Sequence, residues 1–498
     1  MKKKIKLLYE KLELIKKYEH TLALLGFDFE TICPKDAREE EMETINYFSN
    51  ELFKLETSKE YTDLIVDIYE HKSEIENPLD LSLIEKLYDG YSKIKNITPE
   101  FDLEMSKAFS EAQIKWEDAR EAKDFKIFKD AFAVALKFQE EAIKLREKRF
   151  DSLYDSMLDD SEEGILQADL DPFFAELKSG LLELLAKIKN SKVKIRTDFL
   201  TRFVPIYKQE AFSKYLLELN GYDFNKGALS TTIHPFTSDI AQNDARVTTH
   251  YYENLFISNI YSVIHEGGHA IFMQNERNDD YVHYINDYIT NGMHESVSRF
   301  YENIIGRSKE YIHLIYPKFK ETFEEFNDVS EEELYKAVNF VEPSLIRTEA
   351  DEVTYGLHII IRYEMEKMIL SHQISIDEIP AMWNKLYKDY LGVQVPNDAE
   401  GVLQDIHWTA GFGYFPSYAL GNCYNAMYLK KIKEELPFNE LIKKGDLKTV
   451  KERMKENVFI HANVLTPKEW IKEITGKSLT AKDFLEYLND KYSEIYEF

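Results

Sequence analysis

Residues 131–158 read AFAVALKFQEEAIKLREKRFDSLYDSML. Leu, Ile, Phe and Tyr return at three- and four-residue intervals and charged residues fill the gaps, so on a 3.6-residue period one stripe is apolar and the remainder faces water. That spacing predicts a long amphipathic helix. The same pattern dominates residues 1–190 and predicts a mainly helical scaffold there. One turn is expected early, at FDFETICPKDA (27–37), where Asp28, Thr31, Pro34 and Asp36 supply turn chemistry.

The first residues, MKKKIKLLYEKLELIKK, start basic like a secretion signal, but Glu10, Lys11, Glu13, Lys16 and Lys17 break any apolar stretch, and an amphipathic helix is predicted instead. No run approaches the roughly 18 apolar residues of a membrane span. A soluble, cytoplasmic protein is the expectation. Two cysteines, Cys33 and Cys423, lie far apart in sequence and suggest neither a disulfide framework nor a thiolate metal site.

Residues 190–250 differ. KVKIRTDFL, GALSTTIHPFTSDI and ARVTTHYY carry β-branched and aromatic runs bounded by Gly, Pro and Asn, and two or three short strands are predicted. Helical spacing resumes from about residue 253, broken at Pro343, at GVQVPNDAEGVLQD (392–405) and at WTAGFGYFPSYALGN (408–422). Gly (18) and Pro (13) are sparse in the 498 residues and no linker-like stretch appears, so a single domain over 1–498 is expected, with the chemistry-bearing motifs between 230 and 425.

The hydrophobic fraction of 44% and aromatic content of 13% are those of a folded protein with a sizeable core. A formal net charge of −27 argues against nucleic acid or an anionic membrane as partner, since both need a basic face.

Chemistry enters at NLFISNIYSVIHEGGHAIFMQ (254–274), which contains His265, Glu266 and His269 as H-E-x-x-H. On a helix, residues four apart stand one above the other, so both imidazoles reach one cation while Glu266 projects beside it. Ile257, Ile260, Tyr261 and Ile264 before the motif and Ala270, Ile271 and Phe272 after it predict a buried helix, in which histidines need partners. Gly267 and Gly268 cost about 1 kcal/mol each relative to Ala, which predicts close approach of backbone or substrate. A catalytic zinc takes a third protein ligand. Glu295 in GMHESVSRFYENIIG (292–306) is the candidate; Glu302 competes and is read as a surface charge or as a partner of a ligand, as is His294. Such a His2Glu set suits zinc and also accepts cobalt or manganese. Glu266 is then the general base that takes a proton from water and passes it to the leaving amine.

HPFT (234–237), DARVTT (244–249), HEGGHA (265–270), GMHESVSRF (292–300), IRTEADEVTYGLH (346–358) and GVLQDIHWTAGFGYFPSYALGN (401–422) together resemble the Taq-type thermostable metallocarboxypeptidases, zinc enzymes of the group that includes neurolysin and angiotensin-converting enzyme. FDFETICPKDAR (27–38) resembles an early motif of the same family, with Phe27 where Trp and Cys33 where Met is usual. The resemblance implies a neurolysin-like, almost wholly helical fold with a deep groove, and removal of C-terminal residues from peptide substrates with broad specificity. It also implies a homodimer. HEGGH alone carries none of this, because endopeptidases and aminopeptidases share the motif. An oligoendopeptidase and an inactive peptide-binding homologue are the alternatives.

A carboxypeptidase needs a fixed cation for the substrate carboxylate. Arg347 is the leading candidate, against a purely structural ion pair to Glu349, Asp351 or Glu352; Arg246 and His234 follow, either of which could instead be a structural hydrogen-bonder tying strands beside the groove, the preferred reading for Arg246. The oxyanion needs donors beside the metal, and the resemblance points to His407, Tyr414 and Tyr418, with Gln404 and Asp405 orienting His407. Gly411, Gly413 and Pro416 predict a shaped loop that presents these side chains.

Overall fold

Helices form where the apolar spacing alternates between three and four. In Lys126–Leu145 the buried side chains are Phe128, Phe132, Ala135, Leu136, Gln139 and Ile143, one continuous stripe. Each large apolar side chain so buried contributes about 1.5–3 kcal/mol over leaving it in water. The computed structural model describes residues 1–498. It is mainly helical from Lys2 to Asn190, as the sequence predicts.

Two local expectations are corrected. Residues 131–158 are two helices rather than one, because Ser152 caps Leu153–Ser161 by accepting from the Asp155 amide, and Arg146, just past the preceding helix, turns its guanidinium onto Asp160. The early turn is also shorter than predicted, since the first helix runs through to Thr31 and only Ile32–Pro34 intervene before a 3-10 turn at Lys35–Ala37.

Apolar side chains gather into two cores. The larger takes residues from Ala112 to Tyr496. The smaller joins Leu8, Leu12 and Ile15 of the first helix to Ile65, Ile68, Leu83 and Ile84, with Ile285 packed against them from the far part of the chain. No helix is long and apolar enough to cross a membrane.

Three strands appear, β1 (Leu229–Thr231), β2 (Thr237–Ala241) and β3 (Asp244–Thr249), in the order β1-β3-β2. β1 runs parallel to β3 with Leu229 opposite Val247, and β2 antiparallel with Thr237 opposite the same residue. The predicted strand KVKIRTDFL does not form: residues 192–197 are irregular and Asp198–Thr201 is a 3-10 turn. No neighbouring chain offers it a ladder; Arg196 instead pairs with Asp198 and Asp328.

The sheet packs against α1 (Phe256–Met273), the helix carrying HEGGH. Against α1 also lie α2 (Asn291–Arg299) and the π-helical turn Phe300–Ile305 that continues it. α3 (Tyr355–Leu370) and α4 (Pro416–Glu435) complete the surroundings, α4 lying along α2. Because α4 starts at Pro416, the predicted loop ends earlier than expected: Tyr414 sits in irregular chain and Tyr418 on the first helical turn.

Candidate metal centre

Nearly the whole circumference of α1 is buried, including Ile260, Val263, Ile264, Ala270, Ile271 and Phe272, so its register is fixed from all sides. Gly268 meets the second ligand helix directly: a Cβ there would stand 2.8 Å from Ser298 Cα. Gly267 is less constrained, since a Cβ there would meet only the Leu217 side-chain tip, at 2.6 Å. The close approach predicted from the glycines is therefore backbone to backbone at Gly268. On the opposite side of α2, Gly421 of α4 gives Glu295 its space, a Cβ there falling 3.0 Å from Glu295 Cγ.

This packing brings His265, His269 and Glu295 into one cluster whose ligand atoms all lie within 4.8 Å of one another. Glu295 Oε2 is 3.6 Å from His265 Nε2 and 3.5 Å from His269 Nε2. Three atoms at bond lengths of 2.0–2.2 Å around a tetrahedral ion stand roughly 3.3–3.6 Å apart. The donor set and its spacing fit a divalent metal.

The distal nitrogens are engaged. His265 Nδ1 is 2.9 Å from Glu302 Oε2, which leaves Nε2 as the free donor atom. His269 Nδ1 contacts His294 Nδ1, and burial together with the nearby His269 pushes the His294 pKa far down, so His294 is neutral. Glu302 is thus buried against the candidate ligand His265 rather than a surface charge. Glu302 stands seven residues after Glu295, two turns on along the same helical face, inside the π-helical turn Phe300–Ile305.

Burial works to raise both carboxyls, Glu295 and Glu302, but positive charge outweighs it. His265 and Arg299 hold Glu295, and Arg299 holds Glu302, far below the ordinary carboxylate range.

Glu266 lies on the same helix, buried, with Thr237 Oγ1 2.7 Å from its Oε2 and 2.8 Å from its main-chain oxygen. The single hydroxyl proton serves either acceptor. Thr237, at the start of β2, belongs to the quoted HPFT segment but was not singled out from the sequence.

Tyr414 and Tyr418 feel the charge of Glu295, Tyr355 lies under Arg299, and Arg347 and His407 pack against Tyr418. Arg347 is buried, with Nε donating to Asp405 Oδ1 at 3.1 Å, Nη1 to Tyr355 Oη at 3.3 Å, and its guanidinium 4.9 Å from the Tyr418 ring centroid. The predicted rival partners are elsewhere: Asp351 accepts from the amides of Val353 and Thr354, and Glu352 pairs with Lys491. His407 packs between Tyr414 and Phe415, and burial lowers its pKa to about 4, so it is a neutral imidazole. Gln404 and Asp405 do not orient it by hydrogen bonds, contrary to the expectation. Asp405 is shared by Arg347 and Arg362, Gln404 accepts from Arg362 and from the Arg347 amide, and His407 Nδ1 is buried without a partner. Burial keeps Tyr414 and Tyr418 protonated by raising their pKa values.

Arg246, on β3, is held by both oxygens of Asp244 and stacks over Phe27 at 5.2 Å. His234 is exposed in the β1–β2 connection. Neither joins the Arg347 cluster. Sequence reading also missed Glu162, wholly buried, which accepts from the Gly292 amide and from Thr290 Oγ1 at the start of α2. Burial raises its pKa to about 7. A lone Glu in SEEG has no local signal for that role.

A family model described as carboxypeptidase Taq (M32) metallopeptidase matches residues 7–492. The chain is 38% identical over 494 residues to carboxypeptidase 1 of Bacillus subtilis, covering 98% of each, and 34% identical over 486 residues to thermostable carboxypeptidase 1 of Thermus thermophilus, covering 95% of each. Its fold superposes on the crystal structure of an M32 carboxypeptidase from Deinococcus radiodurans with a TM-score of 0.95 at 30% identity, over 100% of both chains. With a His2Glu cluster able to hold a metal ion and kinship along nearly its full length, the chain belongs to the carboxypeptidase Taq (M32) family and is a metallocarboxypeptidase.

Proposed function

We propose that the chain trims C-terminal residues from peptides of varied sequence, with zinc held by His265, His269 and Glu295 and with Glu266 as general base. The observation that carries this reading is the Glu266 carboxylate, fixed by Thr237 on the helix that also bears both histidines. A divalent ion at the three ligands would polarise the scissile carbonyl and bring the pKa of the attacking water toward neutrality.

Glu266 takes the proton from that water and delivers it to the leaving amine, a role that requires its carboxylate to be aimed before substrate arrives. Thr237 supplies the aim. His407, neutral and able to donate one hydrogen bond, and the phenols of Tyr414 and Tyr418 are the donors proposed for the developing oxyanion. Arg347 is the proposed anchor for the substrate carboxylate. Asp405 and Tyr355 fix its Nε and Nη1, and its Nη2 has no protein partner. Arg246 and His234, on the sheet side, are proposed as outer substrate contacts. Zinc rather than cobalt or manganese and a homodimeric state belong to the same proposal and rest on ligand type and the family resemblance; a single catalytic domain rests on the sparse Gly and Pro and a cytoplasmic location on the charge-interrupted N-terminus.

Mass spectrometry of a peptide and its C-terminal amide, each incubated with the protein, tests the reading. The expected result is stepwise shortening of the free peptide and little change in the amide. Arg347→Ala should lower kcat/KM for the free peptide roughly 10- to 100-fold, the loss of one charge-assisted hydrogen-bonding group. Equal internal cleavage of both peptides would make the chain an oligoendopeptidase instead.

A further inference from the structure

Arg299 spans the two carboxylates of the metal centre. Its Nε donates to Glu295 Oε1 at 2.8 Å and its Nη1 to Glu302 Oε2 at 2.9 Å, and the guanidinium lies 4.5 Å from the Tyr355 ring centroid. Glu302 is held further by Arg307 Nη2 at 3.3 Å on its other oxygen. Glu295 therefore presents its two oxygens unequally. Oε1 is occupied by a cation that cannot lose its proton, and Oε2 is turned to the two imidazoles, with only Ser298 Oγ beside it at 3.2 Å.

We propose that Arg299 is a positioning residue that restricts Glu295 to ligation through Oε2 alone and, through Glu302, sets the His265 ring. One side chain thereby governs two of the three ligands. A carboxylate free at both oxygens can take two coordination positions on the same ion. A catalytic site must keep positions for water and the substrate carbonyl. Occupying Oε1 with a guanidinium keeps one of them open. Arg suits this role better than Lys, because its planar guanidinium holds two donors in a fixed fork that stays charged, whereas an ammonium is a single point charge on a flexible stem. This inference rests on the metal-centre reading above and adds the coordination mode of Glu295 to it.

The test uses the full-length protein loaded with cobalt(II), whose visible absorption weakens as its ligand number rises. Arg299→Met alone leaves two buried carboxylates short of one cation, so Arg299→Met combined with Glu302→Gln, which keeps the buried charge balanced, is the second variant. Both should bind the metal about 10- to 100-fold more weakly. Both should also show a weaker cobalt band than the unaltered protein, because Glu295 Oε1 now joins the ion. Arg299→Lys should restore neither property in full.

An unchanged band in the charge-balanced variant overturns the proposal, whatever happens to affinity, because weaker binding alone would follow from a merely structural role. If the unaltered protein takes up no cobalt, the metal-centre reading itself fails. If it binds the ion and the band does not move, only the role of Arg299 does.

Discussion

Glu266→Gln lowers kcat/KM on the order of 10²–10⁴-fold and leaves the fold and the bound metal in place. Gln keeps the size of the side chain and an oxygen for Thr237, but it cannot accept a proton at neutral pH. The proposed ligands are His265, His269 and Glu295, none of which touches Thr237, so metal content is expected to equal that of the unaltered protein. The check pairs steady-state kinetics with metal analysis of the same sample. Activity retained within a few-fold would remove Glu266 as the base; activity lost together with the metal would make it a structural support instead.

Asp405→Asn destabilises the protein by about 3–5 kcal/mol, the usual consequence of stripping one partner from a buried ion pair. Asp405 is the shared counter-ion of two buried guanidiniums. Oδ1 accepts from Arg347, and Oδ2 from Arg362 Nε at 2.7 Å. Arg362 also donates to the His358 carbonyl, but no other carboxylate pairs with it. Burial alone would raise the Asp405 pKa; Arg362 and Arg347 outweigh it and lower the value from 3.8 to about 2. A carboxyl with its folded pKa depressed contributes stability above the unfolded value, and that contribution fades as pH falls from about 4 to about 2. Thermal melts across pH check this. At pH 7 the variant should melt well below the unaltered protein, and the gap should close in acid. A variant with unchanged melting at pH 7 would show that the two arginines do not depend on Asp405. Since Arg347 is the proposed carboxylate anchor, the same variant should also lose preference for peptides with a free C-terminus.

The part of the centre that sequence makes legible is the part set by local periodicity. His265, Glu266 and His269 fall together because one helix spaces them, and the run of apolar neighbours predicts that helix and its burial. Glu295 was reachable as an acid on the next apolar-patterned helix. Arg299 meets Glu295 by ordinary i,i+4 helical spacing, whereas Glu302 lies in the π-helical turn that follows, which no local preference in FYENII announces. Thr237 reaches Glu266 across a strand-to-helix contact, and Asp405 selects Arg347 and Arg362 over His407 through burial, neither of which a one-dimensional pattern encodes.

The misplaced strand at KVKIRTDFL has a similar origin. Val193 and Ile195 alternate with polar residues as a strand would, and both do pack against the large core. A strand also needs a partner edge, and the short sheet ends at β1 on one side and β2 on the other. The close backbone approach expected at the two glycines occurs at Gly268, against Ser298, while Gly267 meets only the side-chain tip of Leu217.

The most direct measurement of the central claim is the divalent metal content, by elemental mass spectrometry, of the unaltered protein and of Glu295→Ala after identical dialysis. The account predicts about one zinc per chain in the first and loss of most of it in the second, since two histidines alone leave the site one protein ligand short. No divalent ion in the unaltered protein, or full occupancy in Glu295→Ala, would contradict it.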